Sequence, residues 1–309
     1  MKKHYLYLLV TGLILGTHGL IWAQSLDTAS KNLKVISYNI YNGFDYGKDT
    51  EREQALAEWL ASQQPDVVAF QELCAFTEEK LKTYASNWGH DHVVLLKEDG
   101  HPVGITSNKP ITVKKKMLDG FWHGALHAST HGIDFVAVHL CPSDYATRMR
   151  ESALIASQVK ETLSSHEDPH IILGDFNALS PFDAHLDMLR PELREWYSEI
   201  EAANKKKGHQ TLLNDQFDYS LMASFLGFPL IDVCAQKVDG EERFSFPAPI
   251  HFEPRRNRED IAPLRKRLDY ILASPNLARQ CVSAKIINAG IVDDLSDHYP
   301  VVAEFSILE

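Results

Sequence analysis

Apolar and polar positions along this 309-residue chain alternate between two periods. Residues 33–39 (Leu-Lys-Val-Ile-Ser-Tyr-Asn) read as a strand, closed by Asn39-Ile40-Tyr41-Asn42-Gly43. From Asp49-Thr50 the period becomes helical, with Ala55, Leu56, Trp59 and Leu60 on one face, acids in the first turn and Pro65 beyond the end. Residues 66–72 form a buried strand ending on a carboxylate, and 77–86 a second amphipathic helix. Shorter strands are expected at 93–96, 103–107 and 111–117, then a longer one at 133–139 ending on a histidine. Pro142-Ser143-Asp144 starts a long helix over 145–163. Ile171-Ile172-Leu173 is apolar on both pleat faces, so it reads as a buried strand, with Gly174 allowing a tight turn before Asp175 and Asn177. Residues 180–227 read as helices and loops, 230–233 as a short strand, and 243–267 as a long irregular segment with four prolines. Strands at 268–272, 282–289 and 299–307 finish the chain with no helix between them, which implies an antiparallel component. Strands alternating with helices give an α/β protein, its mixed sheets covered by outer helices. No repeat, low-complexity tract or Gly/Ser-rich linker divides the chain, so residues 33–309 are expected to form one domain.

The first residues change the picture of where the protein works. Lys2 and Lys3 precede an apolar run over residues 6–15, with small residues up to Ala23, the shape of a secretory signal peptide over 1–23 cut after Ala23. Export to the periplasm or medium is the resulting expectation, with 24–32 polar and disordered and no stable membrane span after processing. The net charge is −11, and two positive charges leave with the signal. The overall field therefore does not steer the chain to nucleic acid, and contact with a polyanion must come from local patches. Cys74, Cys141, Cys234 and Cys281 could make two disulfides, with three pairings open, or stay as buried thiols; none has the spacing of a zinc site.

Polar residues of one chemical kind recur at strand ends: Asn39, Glu72, His139, Asp175 with Asn177, Asp269, and Asp297 with His298. Strand ends on one sheet edge converge in space, which is how distant residues build a site. Hard oxygen donors with no cysteine suit Mg²⁺, with Mn²⁺ or Ca²⁺ as alternatives, rather than zinc. A hard cation, an acid/base pair and amide donors serve the hydrolysis of a phosphoester.

The ordered motifs Ser-Tyr-Asn39, Gln71-Glu72, Val138-His139-Leu140, Gly174-Asp175-Phe176-Asn177, Arg267-Leu268-Asp269-Tyr270 and Ser296-Asp297-His298 resemble those of the endonuclease/exonuclease/phosphatase superfamily, from about residue 33 to 305. That group includes pancreatic deoxyribonuclease, apurinic endonucleases, neutral sphingomyelinases and inositol polyphosphate 5-phosphatases. The resemblance implies a deoxyribonuclease I-like, four-layer sandwich: two mixed β-sheets face to face with helices outside. It also implies roles. Glu72 would be the main metal ligand with Asn39 and Asp297 close by; Asp175 would orient or deprotonate the attacking water and Asn177 bind phosphate. His298 would stabilise charge on phosphorus or act as acid/base, with Asp269 fixing its tautomer. His139 would hydrogen-bond a phosphate oxygen or protonate the leaving oxygen. The bland alternatives are an ion pair of Asp269 with Arg265, Lys266 or Arg267, and a satisfied core histidine at His139.

The substrate stays open: a small-molecule, lipid-headgroup or nucleic-acid phosphoester, with no protein partner expected. Arg148 and Arg150, at the start of a helix, could reach a phosphate or pair with a neighbouring acid, and Asn42 is a further candidate substrate contact. The basic runs 114–116 and 205–207 read as solvated surface, whereas the arginines of 255–267 lead into Asp269 and read as a rim of the site. Trp122-His123-Gly124, ahead of the 133–139 strand, could present an aromatic face to a base, sugar or lipid headgroup, although Trp122 itself reads as core. Three functions compete: a phosphodiesterase or phosphatase on a small or lipid-like ester, a secreted endonuclease on DNA or RNA, and an inactive binding module. The last requires a substitution among the acids and histidines, and none is present.

Overall fold

In the computed structural model residues 31–307 are described. Residues 1–23, expected to be a signal peptide, and most of the 24–32 segment lie outside them. Lys31 and Asn32 already belong to the first strand, so the segment expected to be disordered ends earlier than the sequence suggested.

Twelve strands make two six-stranded mixed sheets. In chain order they are β1 (Lys31–Asn39), β2 (Val67–Gln71), β3 (His92–Leu95), β4 (Gly104–Ser107), β5 (Thr112–Met117), β6 (Ala125–Thr130), β7 (Ile133–His139), β8 (His170–Asp175), β9 (Ile231–Asp232), β10 (Asp269–Ala273), β11 (Cys281–Ile286) and β12 (Val301–Ile307). The first sheet runs β11-β12-β1-β2-β4-β3 and the second β5-β6-β7-β8-β10-β9. Each contains one parallel pair, β1 with β2 and β7 with β8. The last three strands are not one antiparallel run: β10 belongs to the second sheet, and a short helix, Pro275–Arg279, separates it from β11. β6 was not foreseen, because its small and polar residues give no apolar pattern although both of its faces are buried, Leu126 on one and His127 on the other.

Burial explains why the sheets stack. Along β7, Phe135 and Ala137 join the core shared with β1 and β2, while Val136 and Val138 join a second cluster with Ile155, Val159 and Phe225 on outer helices. Ile171 and Leu173 against Ile172, and Ile271 and Ala273 against Leu272, divide the same way. A period of two on a central strand therefore supplies both an inter-sheet layer and a helix-covered layer. The Thr50–Gln63 helix starts where expected, with the Asp49 side chain accepting from Arg52 N, and stops at Gln64 in the left-handed region before Pro65. Asp144 caps the Tyr145–Thr162 helix through Thr147 N. Among the described residues no helix is long and apolar enough to cross a membrane.

Segment 243–267 is more ordered than its composition suggested. Ser245 and Phe246 pair with Lys266, and Arg267 is fully buried between Asp183 and Asp232, at 2.7 and 2.8 Å. All four cysteines are buried and unpaired.

Candidate active site

Three strands of the second sheet end in one row. His139 is register partner to Asp175 across the parallel β7–β8 pair, and Asp175 to Asp269 across the antiparallel β8–β10 pair. The row forms because β7 and β8 end, and the antiparallel β10 begins, on a polar residue that follows or precedes an apolar stretch, so all three polar side chains stand at one rim. Gly174 makes no turn. It lies inside β8 with φ +142°, and a Cβ there would stand 2.0 Å from the carbonyl oxygen of Val138, its register partner.

The first sheet contributes through loops. After Asn39 the backbone takes positive φ at seven consecutive positions, Tyr41 to Gly47, five of them not glycine. Each such residue costs about 1–2 kcal/mol, so the turn persists only because its surroundings hold it. Phe44 is buried against Phe76 and Tyr84; Asn42 N donates to Glu72 Oε2 at 2.6 Å; buried Arg52 donates to the carbonyls of Ile40, Tyr41 and Leu295. Glu72 itself has φ +61°.

Hydrogen bonds then cross between the sheets. Asn39 Nδ2 donates to Glu72 Oε1 and to Asp175 Oδ2, both at 3.1 Å. His298 Nδ1 faces Asp269 Oδ2 at 2.8 Å, and its Nε2 lies 3.7 Å from Asp175 Oδ2. His139 Nε2 is 3.6 Å from the same Asp175 oxygen and 4.0 Å from Glu72 Oε1. Asp175 Oδ1 accepts from Asn177 N, the Asx turn that closes the strand, while Asn177 Nδ2 donates to Leu140 O. Asn39, Glu72, His139, Asp175, Asn177, Asp269 and His298 are therefore brought together as expected. Asp269 is not paired with Arg265, Lys266 or Arg267; its partner is the imidazole.

The other candidates divide. Asp297 is buried next to His298 but is held by His251 Nδ1 at 3.0 Å. Asn42 stands by Glu72, with His101 Nε2 3.2 Å from its Oδ1. Arg148 is buried with Nη1 donating to Cys141 O, so its guanidinium supports the turn after β7 and is not open to a phosphate. Arg150 is on the surface with Nε on Gly120 O. Trp122 is not core: it is 45 % exposed. Of the 255–267 rim, Arg255 and Arg258 pair with Asp294 and Asp293, and Arg265, Lys266 and Arg267 are buried.

Sequence reasoning missed the supports. Ser245 Oγ accepts from both Leu268 N and Asp269 N; Ser296 Oγ donates to Asn39 O; the Phe246 ring lies 4.6 Å from that of His298, and the His123 ring stacks on His139 at 4.2 Å. These residues sit in loops whose pairing no periodicity announces. Ser296 is part of the Ser296-Asp297-His298 motif, which gives it no role of its own.

The electrostatics follow from burial and neighbours. Burial opposes charging His298, but Asp269 and Asp175 outweigh it and lift its pKa to about 10. Burial raises Asp175 to about 7, with the His298 charge opposing the rise. Burial, with His298 and His101 adding, lowers His139 to about 3 and keeps it neutral. Near neutral pH the pocket thus holds one imidazolium, one neutral imidazole and a carboxyl on the edge of ionisation.

The donor set also fits a hard cation. Ligand atoms of Asp175, Asp269 and His298 lie within 4.8 Å of one another, and Oδ1 of Asp269 and of Asp297 are buried with no hydrogen-bond partner among the described residues. An imidazolium repels a cation, so the carboxylates, not His298, are the physically suited ligands.

A profile of the Endonuclease/Exonuclease/phosphatase family matches residues 36–298. Among solved structures, an AP endonuclease from Archaeoglobus fulgidus superposes with TM-score 0.65 and 21% identity, covering 89% of this chain and 100% of that one. A 3′-5′ exonuclease from Neisseria meningitidis gives 0.64 and 20% over the same shares. A 3′ phosphatase from Neisseria bound to a product DNA hairpin gives 0.63 and 18%, again over 89% and 100%. At these identities the structures show the shared fold. No curated protein matches.

Proposed function

The chain belongs to the endonuclease/exonuclease/phosphatase family, and from that premise we propose that it is an exported, divalent-metal-dependent phosphoester hydrolase in which water attacks phosphorus. The observation that carries this reading is the buried cluster in which Asn39 ties Glu72 to Asp175 while Asp269 holds His298 beside the same Asp175 oxygen.

Asp175, poised near neutrality, accepts the proton of the attacking water. Because it titrates close to pH 7, an appreciable fraction is ionised and basic at the same time. His298, held cationic by two carboxylates, stabilises the negative charge that develops on the phosphoryl oxygens. Asp269 orients that imidazole through Nδ1, leaving Nε2 for the substrate. Neutral His139 offers its Nε2 hydrogen to a phosphate oxygen. Asn177 would turn its amide from the Leu140 carbonyl to phosphate. Glu72, with Asn39 and Asp297, would hold Mg²⁺, which when bound would neutralise phosphate charge; Mn²⁺ and Ca²⁺ suit the same oxygens. Export is inferred from the basic start and apolar run alone.

A nuclease reading is supported by the neighbour bound to a DNA hairpin. The net charge of −11 and a rim whose arginines are paired or buried, Arg256 over the Phe252 ring excepted, weigh against a long polyanion. The test is hydrolysis of bis-p-nitrophenyl phosphate in Mg²⁺ and in EDTA. Turnover that vanishes in EDTA and returns with Mg²⁺ is expected; equal turnover in both overturns the metal reading. Hydrolysis of DNA or RNA that falls steeply between 50 and 200 mM salt would favour the nuclease.

A further inference from the structure

Beside His139 the crevice is walled by rings. His123 stacks on His139 with centroids 4.2 Å apart and planes 17° from parallel, and His101 meets both edge-on at 5.2 and 6.5 Å. Trp122 meets His123 and His209 edge-on, at 6.4 and 5.4 Å with planes 80° and 82° apart, so its indole stands as a separate face beside the stacked pair. Its 45 % exposure leaves an indole ring available at the mouth.

Two acids at the start of one helix fix this wall. Glu151, with no solvent exposure, accepts from Trp122 N at 2.7 Å and from Cys141 N at 2.9 Å, so the Trp122 loop is tied to the turn that follows His139. Asp144 accepts from Gln210 N at 3.1 Å, which anchors the residue after His209. An indole held at its backbone by a buried carboxylate is positioned, not merely left over at the surface.

Its chemistry narrows what it faces. Burial, reinforced by His139, His101 and Lys97, holds His123 neutral, its pKa lowered to about 2. The ring next to His139 therefore offers π surface, not a positive charge for a second phosphate. The wall is built of flat rings rather than branched aliphatic side chains, which suits a planar group better than an acyl chain.

We propose that Trp122, His123, His101 and His209 form a subsite that stacks a planar, uncharged aromatic group carried by the phosphoester. The assignment rests on the hydrolase reading above and names the substrate class of that site. A nucleobase and a simple aryl ester share this chemistry, and the test separates them.

Isothermal titration of the protein in Mg²⁺ with AMP, phenyl phosphate, ribose 5-phosphate and phosphocholine reads the wall directly. AMP is expected to bind about tenfold more tightly than ribose 5-phosphate, the scale of one stacked base. Trp122→Ala should bring that ratio close to one, and Trp122→Phe should keep most of it, which a merely structural role would not. Phenyl phosphate matching AMP would assign an aryl ester; AMP well ahead of it would assign a nucleobase. Equal affinity for AMP and ribose 5-phosphate, tightest binding of phosphocholine, or equal ratios in the Ala and Phe variants would overturn the subsite. Hydrolysis of bis-p-nitrophenyl phosphate by the same preparation keeps the two readings apart. Mg²⁺-dependent hydrolysis without an AMP preference sinks only the subsite, whereas an AMP preference without hydrolysis sinks only the enzyme.

Discussion

The two sheets hold their halves of the crevice in different ways. In the second sheet His139, Asp175 and Asp269 are consecutive in register across β7, β8 and β10, so ordinary ladder geometry places them. In the first sheet only Asn39 is placed by a ladder, at the end of β1 opposite Gln71; Glu72 lies past β2 with positive φ against the left-handed turn, and His298 is held by the loop entering β12. One half is set by regular strands, the other by strained loops that need outside support. Neither is complete alone, because the Asn39–Asp175 and His298–Asp269 hydrogen bonds both run from sheet to sheet.

The sharpest way to break the pairing of the halves is to remove the imidazolium that joins them. His298→Ala should lower kcat by a factor of about 10²–10³, the scale of about 3–4 kcal/mol of lost charge stabilisation. Its unfolding midpoint should also fall, because buried Asp269 and Asp175 lose the imidazolium whose pKa they lift to about 10, so turnover is compared at a temperature where circular dichroism shows the variant folded. Wild-type turnover in a folded His298→Ala protein would remove the crossing bond from the chemistry.

The second sheet can be disturbed without touching the first. Gly174→Ala would place a methyl 2.0 Å from Val138 O at a φ of +142°, so β7 and β8 must separate. A loss on the order of 3 kcal/mol in denaturant unfolding is expected, with turnover reduced because His139 and Asp175 no longer share a register. A stable, fully active variant would show that the row does not depend on that close approach.

The same contrast explains what could be read from sequence. Ile171 to Asp175 and Val136 to His139 announce themselves, since apolar residues on both pleat faces can only be a central strand and the first polar residue after them must lie at its end. Six motifs in order gave the site, four at such ends and two at or ahead of the starts of β10 and β12. The loop-borne half was only partly legible: Asn39 and Glu72 were visible, but the left-handed path through Tyr41–Tyr46 was not, because five L-residues there contradict local preference and yield only to Arg52, Glu72 and buried Phe44. Ser245 was invisible for the same reason, and His123 was legible only as part of the Trp122-His123-Gly124 stretch, not as the ring that stacks on His139. Arg148 misled because a basic residue at a helix start reads as exposed, while here Cys141 O and burial claim it.

Acid should weaken the first sheet far from the crevice. His90 is buried with Nδ1 2.8 Å from Thr106 Oγ1 and Nε2 2.8 Å from Pro65 O, and burial lowers its pKa to about 4 from 6.5. A base whose folded pKa is depressed leaves the unfolded chain the better proton acceptor. Its contribution is therefore present above about pH 6.5 and lost as pH falls toward 4. About 2–3 kcal/mol of unfolding free energy should disappear across that window, His170 adding in the same direction. His90→Gln should flatten the slope while leaving the pH dependence of turnover in place; an unchanged slope would place the acid sensitivity elsewhere.

The smallest expected effect separates support of the fold from support of the strained half. Asp49 and Thr77 are both N-caps of helices flanking the first sheet, accepting from Arg52 N at 3.1 Å and from Lys80 N at 3.0 Å. Replacing either by Ala should cost about 1 kcal/mol of stability. Asp49 does more than cap, because its other oxygen holds Arg52 Nε at 3.1 Å, and Arg52 grips the carbonyls of Ile40, Tyr41 and Leu295 on either side of the crevice. Asp49→Ala should therefore also lower kcat/KM several-fold, while Thr77→Ala, whose hydroxyl touches only its own helix, should leave it unchanged. Equal kinetics in two equally destabilised variants would mean that the left-handed turn keeps its place without Asp49, and that the loop-held half of the site is as self-sufficient as the strand-held one.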